Sequence, residues 1–163
     1  YLLTPATVSL AIPLYKNLTI LKENVVAIMT GIISGIISNM VCVLLFALAF
    51  GLSHKEYITL LPKSITTVIG MGVAEEFGGI VAITVAVIII TGILGNIIAL
   101  TVFRVFRIYE PIARGISLGG ASHAIGTAKA MEMGEIEGSV SSLAMIVSGI
   151  LTLVGVSVFA SFI

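Results

Sequence analysis

Arg114 and His123 stand in one stretch, PIARGISLGGASHAIG at 111–126, that also carries Gly115, Gly119, Gly120 and Gly126 and the hydroxyl of Ser122, with Thr127 directly after it. Glycine lets a ligand approach backbone amides closely. A half-helix that begins inside a membrane aims its N–H dipoles at whatever fills the gap, which favours an anionic group such as a carboxylate. Ionisable side chains at membrane depth are costly and default to functional candidates, so an arginine and a histidine in the same stretch strengthen a ligand reading. Close helix packing through Gly115, Gly119 and Gly120 is the competing reading of the same glycines. The reference pKa of histidine, about 6.5, makes His123 a candidate proton carrier as well as a candidate hydrogen-bonded structural group.

A second stretch, PKSITTVIGMGVAEEFGG at 62–79, repeats the order of parts: a proline, a base at Lys63, hydroxyls at Ser64, Thr66 and Thr67, small residues, and then Glu75 and Glu76. Neighbouring residues on a helix point about 100° apart, so at most one of these glutamates faces inward, and Glu75 joins His123 as a candidate for proton coupling. Thr4, Pro5 and Thr7 carry the same theme without a charge. Substrate contact is therefore expected from Lys63, Ser64, Thr66, Thr67, Arg114, Ser122, His123, Gly126 and Thr127. Backbone breaks are expected at Pro5, Pro62, Pro111, Gly119 and Gly120.

The elements that must position these groups are membrane elements. Of 163 residues 58% are hydrophobic and 10% charged, against roughly a quarter charged in soluble domains. The runs 24–53, 77–103 and 138–163 hold 30, 27 and 26 residues without a charge, where a helix needs roughly 20 apolar residues to cross a bilayer. No strand-like alternation suits a barrel. The expected fold is an all-α multi-pass integral membrane protein, one membrane domain over 1–163. It has three long transmembrane helices and three broken or re-entrant segments rich in Gly, Pro, Ser and Thr, at 1–15, 64–74 and 115–128. Irregular backbone at that depth survives only where it lines the protein interior or a wet cavity.

The strings Thr30-Gly31-Ile32-Ile33, Thr91-Gly92-Ile93-Leu94 and Ser148-Gly149-Ile150-Leu151 lie 61 and 57 residues apart and suggest internal repeats. Gly31, Gly35 and Asn39 form one helical stripe read as packing, and Asn96 is read as an interhelical hydrogen bond. If every segment crosses once, Lys55, Lys63, Arg104, Arg107 and Arg114 gather on one side and Lys16, Lys22 and Lys129 on the other, which places the first group in the cytoplasm.

Enzyme chemistry finds no support. The chain has no Asp and so no Ser-His-Asp triad, and no GxSxG. Its two histidines and one cysteine give no zinc spacing, and Gly70-Met71-Gly72 lacks a dinucleotide-binding context. No metal or cofactor is expected. Zero net charge argues against a nucleic-acid footprint. Cys42 alone cannot form an intrachain disulfide.

LLTPATVSLAIPLY at 2–15, PKSITT at 62–67, PIARG and ASHAIGTA within 111–128, and GEIEGSVSSLAM at 134–145 resemble the LrgB/CidB family of bacterial membrane proteins over nearly the whole chain. The resemblance implies that N-terminal helices of the full protein precede Tyr1 and that the protein sits in the cell membrane. It implies holin-like or antiholin-like modulation of murein hydrolases and autolysis, with an LrgA/CidA-type membrane partner. Through a plastid relative it also implies transport of glycolate and glycerate, and through bacterial relatives pyruvate. A homo-oligomer is a further candidate assembly. The residues favour a transporter of small monocarboxylates, with a non-transporting regulator of lysis as the alternative. Val68 replaces a proline common after the two threonines, and Ala124 a glycine common after the histidine.

Overall fold

The computed structural model describes residues 15–163 and is helical throughout. Thr4, Pro5 and Thr7 lie outside the described residues. Three helices are long and apolar enough to span a membrane: α2 (Val25–Phe50), α5 (Val81–Val105) and α7 (Glu135–Phe159), the last continued by a 3-10 turn, Ala160–Phe162. A short α1 (Leu18–Glu23) precedes them. The protein is an all-α multi-pass membrane protein. The outer faces of α2 and α5 expose Ile37, Leu45, Phe46, Ile90, Leu94 and Ile97, the apolar surface that lipid covers.

The helices α2 and α7 run parallel. Ile28 and Ile32 cluster with Val140 and Ala144 at one end, while Met40, Val43 and Ala47 cluster with Val156 and Ala160 at the other. The ends where α2 and α7 begin define a near side, and the ends where they finish a far side.

Between α2 and α5 the chain does not cross. α2 stops at Gly51, whose φ of 63° is left-handed, the usual helix-ending geometry. Ser53 and Glu56 then form a capping box for α3 (His54–Leu60): the Ser53 amide donates to Glu56 Oε2 at 2.8 Å and the Glu56 amide to Ser53 Oγ. Those bonds from the Ser53 hydroxyl and amide hold the exposed Glu56 carboxyl below its usual range. His54 Nδ1 donates to the Ile163 carbonyl at 2.5 Å and the Tyr57 hydroxyl to that of Phe159 at 3.0 Å, anchoring α3 to the far end of α7. The chain turns at Pro62, where Lys63 N bonds Leu60 O and Ile65 N bonds Pro62 O, and there Ser64 reaches Asn39, the fifteenth of 26 residues in α2. It returns through α4 (Thr67–Glu76). At the start of α5 the Ile80 amide donates to Thr59 Oγ1 at 2.8 Å and the Thr84 hydroxyl to the Thr59 carbonyl at 2.9 Å. The segment 54–79 is therefore a re-entrant hairpin that enters and leaves on the far side, with its tip at the depth of Asn39.

The second hairpin mirrors it. α6 (Pro111–Met133) is helical on both sides of His123, whose φ of 43° and ψ of −131° break it. Gly126 lies directly against the carbonyl of Leu118, eight residues earlier, a separation of about 12 Å in a straight helix. Ala130, beyond the break, joins Ala99, Phe103 and Leu118 in one cluster. The arm before His123 thus rises from the near side and the arm after it descends to the same side. This corrects the positions of the breaks. Pro111 opens a helix at its first turn, where its missing N–H costs nothing, and Gly119 and Gly120 stay helical. Gly115 and Gly119 serve close packing instead. A methyl group at Gly119 would overlap the Ser141 carbonyl, and one at Gly115 would come 2.7 Å from the Glu137 carbonyl oxygen.

With both short segments re-entrant, the expected grouping of charges also changes. Lys16, Lys22, Arg104, Arg107, Arg114 and Lys129 lie toward the near side and Lys55 on the far side, while Lys63 sits at a hairpin tip. The ion pair of Lys16 with Glu135 at 3.8 Å joins two near-side ends.

Gly119→Val should lower the stability of the protein in detergent by roughly 2–3 kcal/mol, because the facing atoms are backbone and cannot yield. Gly35→Ala, which meets open space, should stay within about 1 kcal/mol of wild type. Thermal unfolding of the purified protein measures both.

Candidate functional site

The two hairpins approach one cavity of about 670 Å³ at the middle of the spans. Lys63 and Ser64 come from the tip of the far-side hairpin, and Gly120 and Ala121 from just below the tip of the near-side one. Gly35, Ser38, Asn39 and Cys42 supply one face of α2, Thr91 comes from α5 and Ser148 from α7. A second cavity of about 460 Å³, bounded by Asn24 and Glu110 on the near side, shares Gly31, Ile116 and Ser117 with the first. Together they make a groove between α2 and the first arm of α6, leading from the near surface to the tips.

Hydrogen-bond directions in the cavity follow from elementary chemistry. An ammonium can only donate, so Ser64 Oγ accepts from Lys63 Nζ at 3.2 Å and gives its own proton to Asn39 Oδ1 at 3.3 Å. Asn39 must then turn its NH₂ group away from Ser64. No carboxylate lines the main cavity and, among the described residues, none lies within ion-pair distance of Lys63. Ser34 and Ser117 are satisfied by the carbonyls of Gly31 and Ala113. Ser148 Oγ is buried with no partner among the described residues. A lining of unpaired donors around one positive charge suits an acceptor-rich, anionic ligand.

The other expected residues have other work. Arg114 remains near the near surface, where Nε donates to the Ile108 carbonyl at 2.8 Å and the guanidinium lies 5.7 Å from the Phe103 ring centroid and 5.9 Å from that of Tyr109. His123 is buried, its Nε2 donating to the Ile88 carbonyl at 2.9 Å, and its ring fills the space that a side chain at Gly92 would need. The Thr127 hydroxyl donates to the His123 carbonyl at 2.9 Å, so Ser141 must be the donor in its 2.9 Å bond to Thr127. Ser122 occupies the gap left at Gly95, and Gly126 closes against Leu118. Arg114, Ser122, His123, Gly126 and Thr127 therefore build the near-side hairpin and do not line the cavity. Thr66 precedes α4 as its N-cap and Thr67 starts it, also outside the lining. Glu75 is exposed near the far-side end of α4.

Sequence reading missed Cys42, Thr91 and Ser148 as lining residues and took Gly35 and Asn39 for packing. A signal existed. All three repeats of the Thr/Ser-Gly-Ile type reach the cavity, through Gly31, Thr91 and Ser148. Among the described residues no cluster of His, Cys, Asp or Glu could hold a metal ion.

Arg114→Gln should destabilise the protein by about 2 kcal/mol, since it removes a charge-assisted hydrogen bond and a cation–π contact. Lys63→Met should raise the unfolding midpoint, because it removes a half-buried charge that no acid compensates. Thermal unfolding of the two variants beside wild type checks the opposite signs.

The chain matches the model of the LrgB-like family over residues 1–162. It is 40% identical over 161 residues to the Bacillus subtilis protein YwbG, covering 99% of this chain and 72% of that one. It is 41% identical over 152 residues to the holin-like protein CidB of Staphylococcus aureus strain Mu50, covering 93% and 66%. With the antiholin-like protein LrgB of Bacillus mycoides it shares 38% identity over 163 residues, covering 100% and 71%. No solved structure matches it significantly. A match along nearly its whole length, carried by a chain with two opposed re-entrant hairpins, makes this protein a member of the LrgB-like family.

Proposed function

We propose that this chain forms the substrate-handling part of a membrane carrier for small monocarboxylates, 2-hydroxy or 2-oxo acids such as glycolate, glycerate or pyruvate. The observation that carries the reading is the meeting of two oppositely inserted hairpins at one carboxylate-free cavity holding an unpaired Lys63. Oppositely oriented units with broken helices ending near the midplane are how many secondary carriers build a site reachable from either side in turn. Here the groove leads to the near side. The far side is sealed by Met40, Val43, Tyr57, Ile58, Leu61 and Val156. The excess of basic residues on the near side makes it the cytoplasmic one by the positive-inside rule, in the cell membrane. Lys63 would hold the carboxylate while Asn39 and Ser64 orient it. Charge-assisted hydrogen bonds contribute roughly 1.5–3 kcal/mol each, enough in twos and threes for the weak binding that a carrier requires.

The holin-like and antiholin-like names of the relatives favour a second reading, which membership of the LrgB-like family extends to murein hydrolase regulation and autolysis beside an LrgA/CidA-type partner. Altered carboxylate flux offers a route from carrier to lysis. A non-transporting regulator would instead act through its helix surfaces and keep its effect on lysis without Lys63.

Full-length protein in proteoliposomes should take up labelled glycolate, glycerate or pyruvate saturably, and Lys63→Gln should reduce kcat/KM at least tenfold. Uptake that rises linearly with concentration would indicate a pore, and a folded sample with no uptake of any of the three acids would end the carrier reading.

A further inference from the structure

Resting on the anion-carrier reading, we propose that Ser148 is the specificity residue of the cavity: it selects carboxylates that carry a second acceptor oxygen beside the carboxyl group. A serine on a helix has a default partner, the carbonyl one turn back, and Ser117, Ser139, Ser142 and Ser157 take it, donating to Ala113, Glu135, Gly138 and Leu153 at 2.7–3.0 Å. Ser148 does not. Its residue is 2% exposed and its Oγ is a buried side-chain polar atom without a partner among the described residues. An unmade hydrogen bond in such a place is costly unless something completes it.

This hydroxyl sits in the cavity wall with its oxygen covered, and Gly120 stands beside it. Ser148 lines the cavity opposite Gly120, where even an added Cβ would stand 3.6 Å from the Oγ. A bulkier residue at 120 would cover the group further, while glycine puts no side chain between it and an occupant. Lys63 and Asn39 line the same cavity, so the charge of an acid is met by one set of groups and Ser148 stays available for another oxygen. A hydroxyl both donates and accepts, so Ser148 serves a neighbouring hydroxyl or a neighbouring keto oxygen alike. Thr91, its counterpart in the earlier Gly-flanked string, also lines the cavity.

Cys42 gives a native reporter, because it is exposed and lines the cavity. Full-length protein in vesicles is treated with N-ethylmaleimide, modification is read from the mass of the peptide bearing Cys42, and propionate is compared with lactate, which differs by the 2-hydroxyl alone. In wild type, lactate should protect at roughly three- to tenfold lower concentration than propionate, the range that one hydrogen bond supplies. Ser148→Ala should remove that preference without lowering thermal stability, since it deletes an unsatisfied buried group, and Ser148→Thr, which keeps a hydroxyl, should retain it. An undiminished preference in Ser148→Ala, or equal protection by the two acids in wild type, overturns the assignment of Ser148. Cys42 that reacts freely but is protected by neither acid overturns the anion site itself, and Cys42 that never reacts overturns the water-filled cavity on which both readings stand.

Discussion

Every feature of this molecule answers to one constraint: a backbone N–H or C=O inside the hydrocarbon must find a partner within the protein. The spanning helices meet it internally. The hairpin tips cannot, because a chain that reverses direction at mid-depth leaves the ends of two helices unpaired. Their survival depends on what surrounds them. At the near-side tip the carbonyl of His123 is taken by Thr127, whose hydroxyl is in turn supplied by Ser141, and the His123 ring reaches across to the carbonyl of Ile88. A non-glycine residue at φ 43° is strained, at a cost on the order of 1–3 kcal/mol, and this network of side-chain bonds holds it there.

Which parts were legible in the sequence follows from the same constraint. Three long uncharged runs announced three spans, because length and the absence of charge are sufficient signals for crossing a bilayer. The intervening stretches declared by composition that they were neither lipid-facing nor solvated. Where they break was less visible. Glycine and proline attract attention as breakers, yet Gly119 and Gly120 stay helical, Gly119 because its missing side chain lets it lie against the Ser141 backbone of α7, and Pro111 starts a helix. The true break falls on His123, which lacks the conformational freedom of glycine, because tertiary partners rather than local propensity fix it. The lining of the cavity was legible only in part. Lys63 and Ser64 stood out by charge and by position after Pro62. Ser148 and Thr91 were hidden in apolar helices, where a single hydroxyl reads as tolerated polarity until its surroundings are known.

The exchange between Arg114 and Lys63 is instructive about cations at membrane depth. Arginine has five donors in a fixed plane and stacks on rings, so it settles where a carbonyl and aromatic faces lie close together, as Ile108, Phe103 and Tyr109 do. Its charge is thereby spent on structure. Lysine is a point charge on a flexible stem with three donors, and at the tip of the far-side hairpin, among the described residues, one of them is engaged, by Ser64. The remaining donors, with no acid nearby, are what a passing anion would meet. A hydroxyl and an amide behind the ammonium can relay its polarisation without neutralising it, which a carboxylate would do.

The two halves of the fold also hold each other. Each consists of a re-entrant hairpin followed by a spanning helix, 54–105 inserted from the far side and 111–159 from the near side. The contacts cross over: Gly92 on the first spanning helix receives the ring of His123 from the second hairpin, and Gly149 on the second spanning helix receives Ile69 from the first hairpin, at 3.0 Å from where a Cβ would stand. Each glycine follows the hydroxyl residue that lines the cavity, Thr91 in one case and Ser148 in the other. The seat of each hairpin is therefore one residue from a lining group supplied by the opposite half. A hairpin that shifts to open a path must move against the helix that presents that group, so access to the cavity and the shape of the cavity are coupled by packing alone.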